Sequence, residues 1–179
     1  MQKELEAIEK NKTWALTKLP SGHKPLVLKW VFKREKNNEG NVIKYKVRLV
    51  AKGHVQRQEV DFEKVFALVA RLDTVWLILA LAAQHGWEVH HLDVKSTFLN
   101  GDLQEELYVV QPEGFIIKAE EHKMYKLSKA LYGLRQAPRA WNIRMDKSLK
   151  SLNSMKCSQE QAVYMLKITY LFRLLSVSI

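Results

Sequence analysis

Leu92-Asp93-Val94-Lys95-Ser96-Thr97-Phe98-Leu99-Asn100-Gly101 is the stretch on which the reading of this chain turns. Trp87 to Val94 has the length and composition of a strand, and a period of two puts Leu92 and Val94 on the face opposite Asp93. If that pair enters a core, Asp93 looks into a cleft. Taken alone, an acid at a strand end is more often a cap or turn residue than a ligand. On the N-terminal side, Asp73 or Thr74 can cap a helix running to about His85, where Gly86 suits a left-handed stop. That helix is apolar nearly all round, which predicts burial between layers. On the C-terminal side stands Leu131-Tyr132-Gly133-Leu134-Arg135-Gln136-Ala137-Pro138-Arg139-Ala140-Trp141. Pro138 can occupy the first turn of a helix through about Leu149, with Trp141, Met145 and Leu149 on one stripe.

Further out, residues 2–12 read as a short amphipathic helix with Leu5 and Ile8 at helical spacing and Asn11 as its stop. Leu26 to Lys33 and Val42 to Val50 are rich in β-formers, and Asn37-Asn38-Glu39-Gly40-Asn41 between them supplies turn residues. The two make a basic hairpin. Alternation places Lys44, Lys46 and Arg48 on one face and Ile43, Tyr45, Val47 and Leu49 on the other, so one side can cover a core while the other meets phosphates or solvent. Tyr108 to Val110 and Met124 to Leu127 are further short strands around Gln111-Pro112-Glu113-Gly114, and residues 162–168 and 171–179 can both be strands. The pattern is that of an α+β chain with antiparallel sheet and packed helices.

Composition narrows the function. The chain has 179 residues, 47% hydrophobic and 27% charged, enough for a packed core and against disorder throughout. Twenty-nine Lys and Arg against nineteen Asp and Glu give a net charge of +10, which attracts polyanions, nucleic acid first among them. Charge alone does not separate such a partner from a merely basic surface. The single Cys157 cannot form an internal disulfide or a cysteine-based zinc site, and His90 and His91 lack any partner arrangement for a metal or a nucleophile triad. Residues 1–12 lack the apolar run of a secretion signal, and Val75 to Ala83 is far short of the ~20 residues of a spanning helix. The expectation is an intracellular protein of cytoplasm or nucleus, neither secreted nor in a membrane.

Several blocks occur together in one order: Asn11-Lys12-Thr13-Trp14, Leu28 to Lys33, Arg48 to Gly53, Val69-Ala70-Arg71, Leu92 to Gly101, Gln111 to Phe115 and Leu131 to Trp141. This set resembles the reverse transcriptase of copia-type LTR retrotransposons. The resemblance implies fingers and a partial palm of a right-hand polymerase, with fingers-like segments at about 1–90 and 107–135, palm-like segments at about 87–106 and 136–179, and thumb and RNase H absent. It implies an RNA-directed DNA polymerase acting on RNA template, DNA primer and dNTP, with two Mg2+ ions and the remainder of a Pol polyprotein. By resemblance, Asp93 is a metal-binding catalytic carboxylate and the Val94 backbone carbonyl a second metal ligand. Phe98 screens the sugar 2′ position, Gln136 lies in the nucleotide pocket, and Lys46, Arg48 and Lys52 lie where fingers meet phosphates. Lys44, Arg135 and Arg139 match template or primer contacts.

The pattern also breaks. No Tyr-x-Asp-Asp occurs, although Ser158 to Tyr164 resembles the segment before that hairpin and Arg173 to Ile179 the strand entering it. The expectation is a polymerase piece truncated before its other carboxylates and inactive alone, or instead a non-catalytic nucleic-acid-binding module, or a decayed relic without function. Leu68 stands where the family usually has Pro, Trp76 where it has Arg, Glu59 for Gly, and Val47 and Thr97 for Ala. Each can follow from a single C-to-T or G-to-A transition, while His91 for the usual Gln does not. In a buried helix Trp76 would overpack at a cost of ~1 to 3 kcal/mol.

Overall fold

A computed structural model describes residues 1–168 and 171–176. The expected strand over 171–179 therefore falls partly, at 177–179, outside the described residues. The chain forms two compact units, Met1–Val65 with Ser96–Trp141, and Phe66–Lys95 with Asn142–Ile179. Named strands pair antiparallel, and the class is α+β.

In the first unit, α1 (Gln2–Lys10) buries Leu5 and Ile8 and ends at Asn11, whose side-chain amide donates to Ala7 O at 2.7 Å. Here spacing decided both face and stop. β1 (Trp14–Thr17) pairs with β5 (Met124–Lys129), which pairs with β4 (Asp102–Val109), giving the order β1-β5-β4. β1, at four residues, is too short to show a period, and Trp14 stacked 4.2 Å from Tyr125 fixes it. β2 (Leu28–Lys36) and β3 (Val42–Ala51) form the basic hairpin, with Trp30 opposite Leu49 and Phe32 opposite Val47. Leu26 joins it to the sheet, donating to Tyr108 O at 2.8 Å and accepting from Val110 N at 3.0 Å. Leu28, Leu49 and Ala51 enter a core with Leu99, Leu107, Val109, Leu127, Leu131 and Leu134.

The apolar face of the hairpin covers that core only at its base, since Ile43 and Tyr45 are exposed. Alternation sets the face a side chain shares; burial also requires a layer opposite, and α1 and the Leu131–Leu134 segment meet β3 only near Leu49 and Ala51.

The second unit contains α2 (Leu72–His85), β6 (Ser154–Lys156), β7 (Val163–Ile168) and β8 (Leu171–Ser176), the strands in the order 6-7-8. α3 (Ala137–Ser151) begins in the first unit and continues into the second. Gly86 ends α2 in the left-handed region at φ +64, as its missing Cβ suggests. The N-cap is Arg71, not Asp73 or Thr74; Thr74 turns its hydroxyl to Glu160 Oε2 at 3.1 Å.

Two expectations fail in this unit. α2 is not buried between layers. Ala82 is its one buried residue, and Trp76, 61% exposed, overpacks nothing. A helix apolar all round needs cover on every side, and in this unit α2 turns only the Val75, Ile78 and Ala82 side inward. Residues 87–94 form no strand, and Leu92 is 78% exposed. A strand exists only through a ladder partner, and the described strands of this unit pair with one another.

Candidate functional site

The first unit gathers most of the candidate residues. Arg48 on β3 places its guanidinium 5.0 Å from the centroid of the Tyr132 ring, and Tyr132 meets Phe98 edge-on at 5.1 Å. A cation and two rings thus form one continuous contact, and each ring presents its face or edge where its quadrupole favours the neighbour. Phe98 is held on the 3-10 turn Thr97–Asn100, anchored by fully buried Leu99 and by Asn100 Nδ2 donating to Ser96 O at 3.1 Å.

Lys46 forms an ion pair with Glu35 across the hairpin. The Lys46 hydrogen bond, with the charges of Lys44 and Lys33, holds the Glu35 carboxyl below its ordinary range. Lys44 lies opposite Glu35 in the ladder and is exposed.

Lys52 begins the 3-10 turn Gly53–Val55, which lies against Gly133 at van der Waals distance. A Cβ on Gly53 would stand 1.9 Å from Gly133 O, and one on Gly133, at φ +88, would stand 2.2 Å from Ala51 O. Only two glycines let these backbones approach so closely. The approach also brings Arg135 beside this turn, where its Nε donates to Gly53 O at 3.1 Å and its guanidinium lies 5.6 Å from the Phe62 ring centroid. Arg139 is half-buried in the first turn of α3.

Gln136 is 2% exposed. Its Oε1 accepts from Gln56 Nε2 at 3.1 Å, and its Nε2 donates to Asp61 O at 3.0 Å. Gln56 Oε1 in turn accepts from Arg135 N at 2.9 Å. Both amides are satisfied inside the unit, as buried polar groups must be. Sequence reasoning passed over Tyr132, Gln56 and Asp61. Tyr132 stands within the Leu131 to Trp141 stretch, but nothing local says that it bridges Arg48 to Phe98, or that Asp61 supplies a carbonyl to Gln136.

Asp93 and Val94 belong to the second unit and lie exposed in the irregular stretch before Ser96. Among the described residues no group of three His, Cys, Asp or Glu is placed to hold a metal. Magnesium is usually held by one or two carboxylates together with substrate phosphates. The described residues therefore fit one ligand of a two-ion site and not the site as a whole. Among them, no helix is long and apolar enough to cross a membrane.

A family model described as reverse transcriptase (RNA-dependent DNA polymerase) matches residues 11–172. The chain belongs to that family, in its copia-type retrotransposon branch. It is 45% identical over 164 residues to the Retrovirus-related Pol polyprotein from transposon TNT 1-94 of Nicotiana tabacum, covering 92% of this chain and 12% of the relative. It is 36% identical over 168 residues to the corresponding polyprotein from transposon RE1 of Arabidopsis thaliana, again 12% of that protein and 93% of this chain. The Transposon Ty1-BL Gag-Pol polyprotein of Saccharomyces cerevisiae is 26% identical over 162 residues, 89% of this chain and 9% of the relative. The chain thus spans about an eighth or less of these relatives' lengths. No solved structure matches it.

Proposed function

We propose that this chain serves as fingers and part of the palm of a right-hand, RNA-directed DNA polymerase within a copia-type Pol polyprotein, taking RNA template, DNA primer and dNTP. The observation that carries this reading is the family match across residues 11–172, which includes every candidate site residue. Asp93 and the Val94 carbonyl supply one side of a magnesium site. Two bound magnesium ions would activate a primer hydroxyl and neutralise the triphosphate. Phe98, steadied by Tyr132, screens the sugar 2′ position. Arg48, Lys46 and Lys52 meet triphosphate oxygens, and Lys44, Arg135 and Arg139 face template or primer. Gln136 lies at the nucleotide pocket with its amide fixed by Gln56.

Because these residues include one candidate carboxylate and no Asp-Asp pair, the 179 residues by themselves do not polymerise. Magnesium-dependent primer extension on an RNA template tests this, using the chain alone and the chain joined to the following Pol segment of the tobacco relative. The expected result is no product alone, product from the joined protein, and loss of product with Asp93→Asn. Extension by the chain alone would overturn the inactivity, and an Asp93→Asn joined protein that still extends would remove Asp93 from the site.

The basic hairpin favours a second reading, a nucleic-acid-binding module without catalysis. Neutralising about five phosphates gives a slope of log affinity against log salt near −4.5 on duplex. A flat response speaks against it.

A further inference from the structure

Arg48, Tyr132 and Phe98 come from three separate stretches of the first unit, and the backbone behind each is held. Ala51 N donates to Tyr132 O at 2.8 Å, and Gly133, at φ +88, lies against Val50 and Ala51, so the Tyr132 backbone is fastened to the end of β3 just past Arg48. The turn that carries Phe98 is fastened as well. Gly101 N closes it by donating to Phe98 O at 3.0 Å, and Gly101 O accepts from Ala130 N at 2.8 Å, shortly before Tyr132. With these backbones fixed, what remains adjustable is the rotamer of each side chain. The contact they make runs from outside inward. Arg48 is exposed, while Tyr132 and Phe98 are half-buried. Lys46, on the same face of β3, is held by Glu35, whereas no ion pair holds Arg48 among the described residues. Glu4, whose charge acts on Arg48, turns Oε1 to Leu49 N at 3.3 Å. A guanidinium seated over a ring can still present N–H donors to an anion, so the two interactions do not compete.

We propose that Tyr132 is a positioning residue that couples the two ends of this contact: an anion captured by Arg48 holds the guanidinium over the Tyr132 ring, and that ring fixes the edge-on Phe98. The coupling rests on the polymerase reading, in which the anion is the triphosphate of the incoming nucleotide and Phe98 screens its sugar. It adds that arrival of the phosphates sets the screen. The relation is reciprocal, because a ring that holds the guanidinium in place also prepares it for the anion. An aliphatic side chain at 132 could fill the space between Arg48 and Phe98, but it has no quadrupole to hold a cation on one side and a ring edge on the other.

NMR of the purified 179-residue chain with isotope-labelled arginine and phenylalanine tests the coupling, with inorganic tripolyphosphate as the probe. In the wild type the Arg48 side-chain N–H and Phe98 ring resonances are expected to shift along one saturation curve, and Arg48→Gln is expected to abolish both shifts. Tyr132→Phe, which keeps the ring, is expected to preserve the paired response. Tyr132→Leu is expected to silence Phe98 while Arg48 still responds, with tripolyphosphate affinity weakened about two- to fivefold by loss of the cation–π contact. If Arg48 saturates in the wild type and Phe98 stays still, the coupling alone falls. If Arg48 does not respond, the coupling falls together with the place of Arg48 in the polymerase reading. Neither wild-type outcome depends on a variant that folds. Loss of the Phe98 response in Tyr132→Phe, or its survival in Tyr132→Leu, also overturns the role of the ring. In the protein joined to the following segment of the tobacco relative, Tyr132→Leu is expected to lower the ratio of kcat/KM for dNTP over rNTP by about tenfold, with Tyr132→Phe unchanged. An unchanged ratio in Tyr132→Leu overturns the proposal. A joined wild type without product brings down the polymerase reading, and the titration by itself then decides the coupling.

Discussion

The two units cover their first helices differently: α1 buries Leu5 and Ile8, whereas α2 buries Ala82 and leaves most of its apolar residues exposed or half-buried. The first, Met1–Val65 with Ser96–Trp141, places Leu5, Ile8, Leu49, Leu99, Val109 and Leu131 in one shared core. The second, Phe66–Lys95 with Asn142–Ile179, holds the most apolar stretch of the chain and leaves Leu72, Trp76, Leu77 and Leu92 exposed. Hydrophobicity alone therefore does not bury a residue. In the first unit β1, β5, β4, α1 and the Leu131–Leu134 segment close over one another, whereas in the second α2 has cover on one side. The candidate site is divided in the same manner, with Phe98, Gln136 and the basic residues on the packed unit and Asp93 and Val94 on the other.

The largest test of this contrast is Gly133→Ala. A Cβ there meets Ala51 O at 2.2 Å with φ at +88, so a loss of about 3 kcal/mol or more is expected in urea denaturation. Gly40→Ala, at the same φ with nothing within 4 Å, should cost only about 1 kcal/mol. Next is Leu99→Ala, which removes a fully buried side chain and should cost about 3 kcal/mol, against less than about 0.5 for Leu77→Ala on the open side of α2. Equal losses from the two leucines would erase the distinction between the units.

A smaller effect separates the units by pH. Burial pushes the Glu4 carboxyl of the first unit up, more than the Leu49 amide donating to it at 3.3 Å and the nearby Arg48 charge pull it down. Burial also acts on Asp146 in the second unit, but there it is outweighed by hydrogen bonds from Lys150 and Tyr164 and by the charge of Lys156, so its carboxyl lies below its ordinary value. The raised group contributes stability below the ordinary carboxylate pKa and loses it as pH rises through the raised value. The lowered group contributes above the ordinary pKa and loses it as pH falls through the lowered one. Acidification from about pH 6 toward 3 should thus favour the first unit through Glu4 and weaken the second through Asp146. Stability measured against pH should lose the gain in Glu4→Gln and the loss in Asp146→Asn.

The smallest effect is Glu59→Gly. Glu59 occupies the left-handed region at φ +65, a conformation that costs a non-glycine about 1 kcal/mol or more. After the extra freedom Gly gives the unfolded chain, a net stabilisation of about 0.5 kcal/mol remains. A destabilised variant would mean that the Glu59 side chain contributes more than its backbone strain costs.

Local signals were enough for several elements. Leu5 and Ile8 at helical spacing fixed the inward face of α1, Asn37 to Asn41 fixed the hairpin turn, and Gly86 fixed the end of α2, because each depends on a few neighbouring dihedral angles. The family, too, was written in the ordered blocks, and the match over residues 11–172 agrees. What the sequence left open were relations between distant segments. β1 shows no period of its own and exists by pairing with β5, while residues 87–94 have a strand's composition and no ladder partner among the described strands.

The site follows the same division. The resemblance carried by the ordered blocks named Asp93, Phe98 and Gln136, and alternation with net charge named the basic hairpin, since a block and a period are each legible within a few residues. Only the folded chain set Tyr132 between Arg48 and Phe98, closed the Gln136 amide onto Gln56 and Asp61, and left Phe32 and Tyr45 bare beyond Trp30. The physical reason is that dihedral preference and alternation act within a few residues, whereas burial and hydrogen-bond partners depend on which layer arrives opposite, and that is settled by the whole chain.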